Sequence, residues 1–137
     1  MDFIVDGKPQ GKQRPRFSRI SKTVYTPNKT AKYEKQIAKA YTDSGGRYIP
    51  KGCYVSVTVH AFFPVPKSYS KKRREDCLER VLRPDKKPDM DNILKVVLDA
   101  LNEVAYEDDK QVVELIGRKY YTPGDGYLWI NVREVDV

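Results

Sequence analysis

Two aspartates, Asp89 and Asp91, flank Met90 in the stretch "KPDMDNILK" of a chain whose net charge is +7. Two more carboxylates, Asp108 and Asp109, follow in "YEDDKQV". Carboxylates held together repel, by about 4 kcal/mol per pair at 4 Å and an effective dielectric of 20. A divalent cation removes that cost, and oxygen-only ligands select Mg²⁺ or Mn²⁺ over softer metals. Such a cation can polarise a phosphate and acidify a bound water. Lys95 follows Asp91 by one helical turn, where its ammonium can neutralise a charged transition state. The plainer reading is that Asp91 is a helix N-cap, worth about 1 kcal/mol, and that Asp89 is a solvated loop residue. On that reading Lys95 makes an i,i+4 ion pair with Asp91 or Asp99, worth roughly 0.3–0.5 kcal/mol. One cap needs only one aspartate, and a second acidic cluster follows the same helix.

These residues must be held by a particular element. Counting 100° per residue from Asp91, Ile93, Leu94, Val97, Leu98 and Leu101 share one broad arc. Asp91, Lys95, Asp99 and Asn102 fall on the other side. The spacing therefore predicts an amphipathic helix whose polar stripe begins with an aspartate. Pro88 keeps that helix from extending backwards, which places Asp91 at or near the N-cap and Asp89 in an extended approach. The second cluster precedes an apolar strand starting near Gln111, so both clusters can meet at one edge of a small sheet.

Around this centre the chain reads as one domain over residues 1–137, with no room for two. "FIVDG", "CYVSVTVHAFF", "QVVELIGRKYY" and "YLWINVREV" are strand-like. "TPNKTAKYEKQIAKAYTDSGG" is a helix with Tyr33, Ile37, Ala40 and Tyr41 on one face. "KSYSKKRREDCLERVL" is a charged helix or lobe. "TPGDG" joins the last two strands as a turn. The expected fold is α/β in the broad sense (α+β): a single mixed sheet with helices packed on it, in the order β-α-β-(α)-α-β-β.

Charge is unevenly distributed. Residues 1–35 carry nine Lys/Arg against three Asp/Glu, and residues 67–87 carry nine against four. Residues 88–114 reverse this, with two against eight. With a pI near 9.3, this implies a polyanionic partner gripped around an acidic centre. Lys12, Arg14, Arg16 and Arg19 in the first basic run, and Lys71, Lys72, Arg73 and Arg74 in the second, are the candidate phosphate contacts. Phe17, Tyr25 and Tyr69 among them could stack on unpaired bases; Tyr120, Tyr121, Tyr127 and Trp129 fit the core or a subunit surface. Two cysteines without CxxC spacing and one histidine argue against a zinc site or a disulfide framework. The chain start has no signal-peptide pattern and no apolar run reaches membrane-span length, so a cytoplasmic location without membrane contact is expected. An EF-hand fails because Ile93 and Leu94 occupy its third ligand and glycine positions. An aspartyl-phosphate transferase is a weak match because "RPDKKP", not a buried strand, precedes Asp89.

The composite "KPDMDNILKVVLDALNEVAYEDDKQV" resembles the signature of the RusA family of Holliday-junction resolvases: D-x-D-N-x-x-K, then D-A-L, then D-D-x-Q-V. "GKQRPRF" also resembles members of phage origin, while the charged segment 67–85 departs from the family's short loop. The resemblance implies a Mg²⁺-dependent endonuclease, for which Mn²⁺ can substitute, active as a homodimer on branched DNA such as a four-way junction. It places the essential aspartates at Asp89, Asp91 and Asp109 and the essential lysine at Lys95. Asp108 would share or support the metal. The alternative from another class is a junction-binding module without catalysis.

Overall fold

The computed structural model describes residues 1–25 and 27–136. Four strands form the main sheet: β1 (Asp2–Asp6), β4 (Tyr54–Pro64), β5 (Val112–Thr122) and β6 (Tyr127–Val135). Two short strands, β2 (Arg16–Phe17) and β3 (Val24–Tyr25), pair only with each other. The helices are α1 (Asn28–Asp43), α2 (Lys71–Leu78) and α3 (Met90–Leu101), with a 3₁₀ turn at Asp109–Gln111. The fold is the mixed-sheet α+β domain that the sequence implies.

The sheet order is β1-β6-β4-β5. Strand β4 pairs parallel with β5 and antiparallel with β6, and β1 pairs antiparallel with β6. The last two strands are thus not neighbours, although a short turn joins them: β4 lies between. The turn crosses the end of β4 so closely that a Cβ on Gly126 would stand 2.8 Å from the Phe62 carbonyl oxygen. With φ at +105°, this position takes glycine on both counts.

Alternation along β4 sorts its two faces. Val55, Val57, Val59, Ala61 and Phe63 are buried, together with Phe3, Val5, Leu128, Ile130 and Val132 of β1 and β6. This face meets Tyr33, Ile37 and Tyr41 of α1 and Ile93, Val96, Val97 and Leu101 of α3 in one core. The opposite face holds half-buried His60, Phe62, Tyr127 and Trp129. There Phe62 stacks on Tyr127 at 4.4 Å, and Arg80 and Arg83 lie over the Tyr120 ring at 4.2 and 4.3 Å.

One local feature departs from the sequence reading and another settles on one of its two options. The first basic run contains the small β2–β3 hairpin rather than being wholly irregular. The charged segment 67–85 resolves into α2, capped by the Ser70 hydroxyl accepting from Arg73 N–H at 3.2 Å. Both cysteines are free thiols, and Cys77 is fully buried.

Candidate active site

The head of α3 sits over edge strand β5 because Gly117 has no side chain. A Cβ there would stand 2.5 Å from the Met90 sulfur and 3.2 Å from Leu94. The helix begins at Met90, so Asp89, not Asp91, occupies the N-cap position, and Asp91 lies in the first turn. The shift of two residues follows from Asp89, whose backbone is extended after Pro88 while its carbonyl already accepts from Asn92 and Ile93 N–H. The Asp89 side chain makes no cap hydrogen bond. Asp91 accepts from the adjacent Asn92 N–H at 3.0 Å. Both carboxylates are exposed and neither forms an ion pair among the described residues. The ordinary capping explanation therefore accounts for neither.

Lower on the same stripe the situation reverses. Lys95 pairs with Asp99 at 3.3 Å rather than with Asp91. Asp99 also receives Lys12 at 3.2 Å, and Lys12 reaches Glu34 of α1 at 2.9 Å. The side chains of Lys12, Glu34 and Asp99 are only 15%, 20% and 19% exposed, whereas Lys95 is 61% exposed. Burial alone would lower the Lys12 pKa. Hydrogen bonds and charge from Glu34 and Asp99 outweigh it and raise the value above 10.5. So Lys12, read from the sequence as a phosphate contact, turns its ammonium inward between two carboxylates. Arg14, Arg16 and Arg19 remain exposed and without ion pairs among the described residues.

The second acidic cluster arrives beside this paired region. Asp108 caps the 3₁₀ turn, accepting from Lys110 N–H at 2.8 Å, and Gln111 completes a capping box. Gln111 also donates to the carbonyls of Pro50 and Cys53 at 3.0 and 3.1 Å, which ties the turn to the start of β4. Asp109 has a raised pKa. Burial is the largest cause, followed by the Asp108 carboxyl and the charge of Asp99, with Lys95 acting the other way. Asp109 thus lies within electrostatic reach of Lys95 and Asp99. Beneath them the buried Tyr106 hydroxyl donates to the Leu98 carbonyl at 2.8 Å, and its pKa is raised by burial and then by Asp109, Asp99 and Asp108.

The carboxylates accordingly stand in two groups along one edge. Among the described residues, no three His, Cys, Asp or Glu side chains are gathered tightly enough to hold a metal ion as they stand. The donor chemistry nevertheless suits a hard cation. Mg²⁺ is usually held by one or two carboxylates and keeps several waters, so it needs no closed protein cage. A further cation, Lys119 of β5, lies near Asp89. Burial lowers its pKa while the charges of Asp89 and Asp85 raise it. Its contribution, like those of Lys12 and Glu34, has no local sequence signal because the partners lie far apart in the chain.

In the second basic run, Lys72 pairs with Asp76 at 3.0 Å and Arg73 lies over the Tyr69 ring at 4.1 Å. Lys71 is exposed and Arg74 half-buried.

Comparison with known proteins matches this arrangement to one family. The endodeoxyribonuclease RusA family spans residues 6–133, nearly the whole chain. The chain belongs to the RusA endodeoxyribonuclease family. It is also 37% identical over 137 residues to the uncharacterized protein YqaN of Bacillus subtilis (strain 168), covering 97% of this chain and 95% of that protein. The RusA match includes the head of α3, the 3₁₀ turn and every Lys and Arg of the first basic run. Among the described residues, no helix is long and apolar enough to cross a membrane.

Proposed function

We propose that this RusA-family protein is a Mg²⁺-dependent endonuclease that resolves four-way DNA junctions by paired nicking. One observation carries the reading: Asp89 and Asp91 head α3 with carboxylates engaged in neither capping nor ion pairing. Asp89, Asp91 and Asp109, with Asp108 in support, would hold the cation. When bound, it would supply Lewis-acid activation of the scissile phosphate and of a water. Mn²⁺ would serve by the same oxygen preference.

The chain's own residues supply the rest. Lys95, oriented by Asp99 yet 61% exposed, can place its ammonium against the charge that develops on the phosphoryl oxygens. Arg14, Arg16 and Arg19 would grip phosphates, and Lys71 and Arg74 would extend the grip. Like charges along the acidic edge repel DNA unless the cation is present, which couples productive binding to the metal.

A four-way junction offers two strands of like polarity related by an approximate two-fold axis. One chain has one acidic edge, so paired cutting calls for a C₂ homodimer. The half-buried aromatic face of the sheet, with Phe62, Tyr127 and Trp129, offers apolar area for a partner copy. The reading is tested by incubating the protein with a synthetic four-way junction in Mg²⁺ and in EDTA. Nicks with Mg²⁺ alone, lost in Asp91→Asn, support it. Tight junction binding without nicks under any divalent metal would leave a non-catalytic binding module instead.

A further inference from the structure

Next to Asp89 the structure contains a cavity of about 700 Å³. This lies within the roughly 300–1,000 Å³ usual for small-ligand sites. Its walls are the strap that follows β1, the first turns of α1, and the approach to α3. The strap is tied at three points. Gly7 N–H donates to the Gly126 carbonyl at 3.1 Å, Lys12 N–H to the Asn92 carbonyl at 2.9 Å, and Gln13 N–H to the Thr30 hydroxyl at 3.3 Å. Gly11 is pressed against the head of α3, where a Cβ would meet Asn92 and Pro88 at 2.9 Å. The half-buried Lys12 ion pairs lock the same strap to α1 and α3. The cavity is therefore preformed, and its position relative to Asp89 is fixed.

Of its polar groups, Lys12, Thr30 and Gln36 are engaged within the protein, but others are free. Lys8, Lys29 and Lys87 line it and form no ion pair among the described residues. The side-chain amides of Gln10, Gln13 and Asn92 line it too and make no hydrogen bond among the described residues, in contrast to Gln36, whose amide donates to the Asp6 carbonyl at 2.8 Å. Free ammonium groups suit phosphate. Free amides both donate and accept, which suits the edge of a nucleobase. No aromatic side chain lines the cavity. A base held there would be read by hydrogen bonds rather than gripped by sequence-tolerant stacking.

We propose that this cavity receives one unstacked nucleotide of the cleaved strand and makes cutting base-selective. Gln10, Gln13 and Asn92 read the base edge, and Lys8, Lys29 and Lys87 hold the flanking phosphates. The proposal rests on the endonuclease reading for the identity of the strand. Unstacking costs least where pairing is already interrupted, as at a branch point.

The test uses junctions carrying 2-aminopurine immediately 3′ of each position in turn around the branch point, so that the base offered to the cavity stays natural and its unstacking brightens the neighbouring probe. They are bound by the full chain in Ca²⁺ so that binding is read without cutting. Fluorescence should rise several-fold at one position and fall back in Gln10→Ala plus Gln13→Ala. With Mg²⁺, wild type should favour one base at that position by about 10-fold or more, and the double variant should cut all four bases at similar rates. Brightening at one position without cutting of any junction would support the cavity while removing the endonuclease reading. Cutting without brightening at any position would overturn the cavity and leave the endonuclease intact. A double variant that keeps the wild-type base preference would also overturn it. Lys29→Ala, on an exposed position of α1, provides an independent check: it should weaken the fluorescence response without changing which base is preferred.

Discussion

The two ends of α3 carry the same residue type in opposite states. At its head, Asp89 and Asp91 are exposed and hold no cation of the protein. Toward its other end, Asp99 is 19% exposed and holds both Lys12 and Lys95. A partly buried carboxylate with two ammonium partners is scaffolding: it fixes the N-terminal strap and aims Lys95. The two carboxylates at the head cap nothing and form no ion pair among the described residues, so they have no comparable structural role. The difference separates carboxylates left free for a ligand from those committed to positioning, although both sit on one polar stripe.

Substitution at the head should have the largest effect. Asp91→Asn keeps shape and helix start but removes charge from the proposed metal site. Junction nicking should fall by about 100-fold or more, while junction affinity stays within a few-fold and Tm is unchanged or slightly higher. Near wild-type cutting in limiting Mg²⁺ would erase the contrast between the two ends.

At the paired end the pattern should invert. Lys12→Met leaves Glu34 and Asp99 together without their shared cation, so stability should drop by about 1–2 kcal/mol. Nicking should slow by about 10-fold, through kcat rather than KM, because Lys95 loses its fixed orientation. Lys12→Arg, which keeps the charge, should recover much of both losses. A Lys12→Met protein of full stability and weakened DNA binding would instead make Lys12 the phosphate contact its sequence context suggests.

The head of α3 was largely legible in the sequence, because a 3.6-residue apolar period and a proline mark the helix and its start. The exact cap was not, since it turns on the backbone of a single residue, Asp89, after Pro88. The strands were legible from alternation, but their order was not: local pattern says nothing about β4 lying between β5 and β6. Two-residue strands such as β2 and β3 are too short to show a period at all. The helix start at Ser70 did carry a signal, a serine preceding a charged helix-forming run. The engagement of Lys12 had none, because Asp99 lies 87 positions away in the chain.

The basic runs extend the same contrast between free and engaged charge. Arg14 and Arg16 are exposed and unpaired among the described residues, whereas Lys72 and Arg73 are engaged by Asp76 and Tyr69. Arg14→Ala plus Arg16→Ala should therefore flatten the log–log salt dependence of junction binding by about 0.9 for each phosphate no longer neutralised. Lys72→Ala plus Arg73→Ala should change it by less. Equal changes in slope would show that the internal contacts of α2 yield readily to DNA.

The smallest effect should appear at high pH, and it bears on Lys12 alone. Its carboxylate partners raise the folded-state pKa above the ordinary 10.5 despite burial. A lysine with a raised value binds its proton more tightly in the folded chain than in the unfolded one. Its contribution to stability is thus complete below about pH 10.5 and declines as pH climbs through the folded value. Tyrosines also ionise there, Tyr33 at about 12 because of burial, so the absolute alkaline transition is not diagnostic. The difference between proteins is. The gap in unfolding free energy between wild type and Lys12→Met, followed by urea denaturation from pH 8 to pH 11.5, should stay constant to about pH 10 and then narrow. A gap that holds across the range would mean that Lys12 stabilises through the packing of its methylene stem, and the ion-paired end of α3 would then owe its rigidity to apolar contact rather than charge.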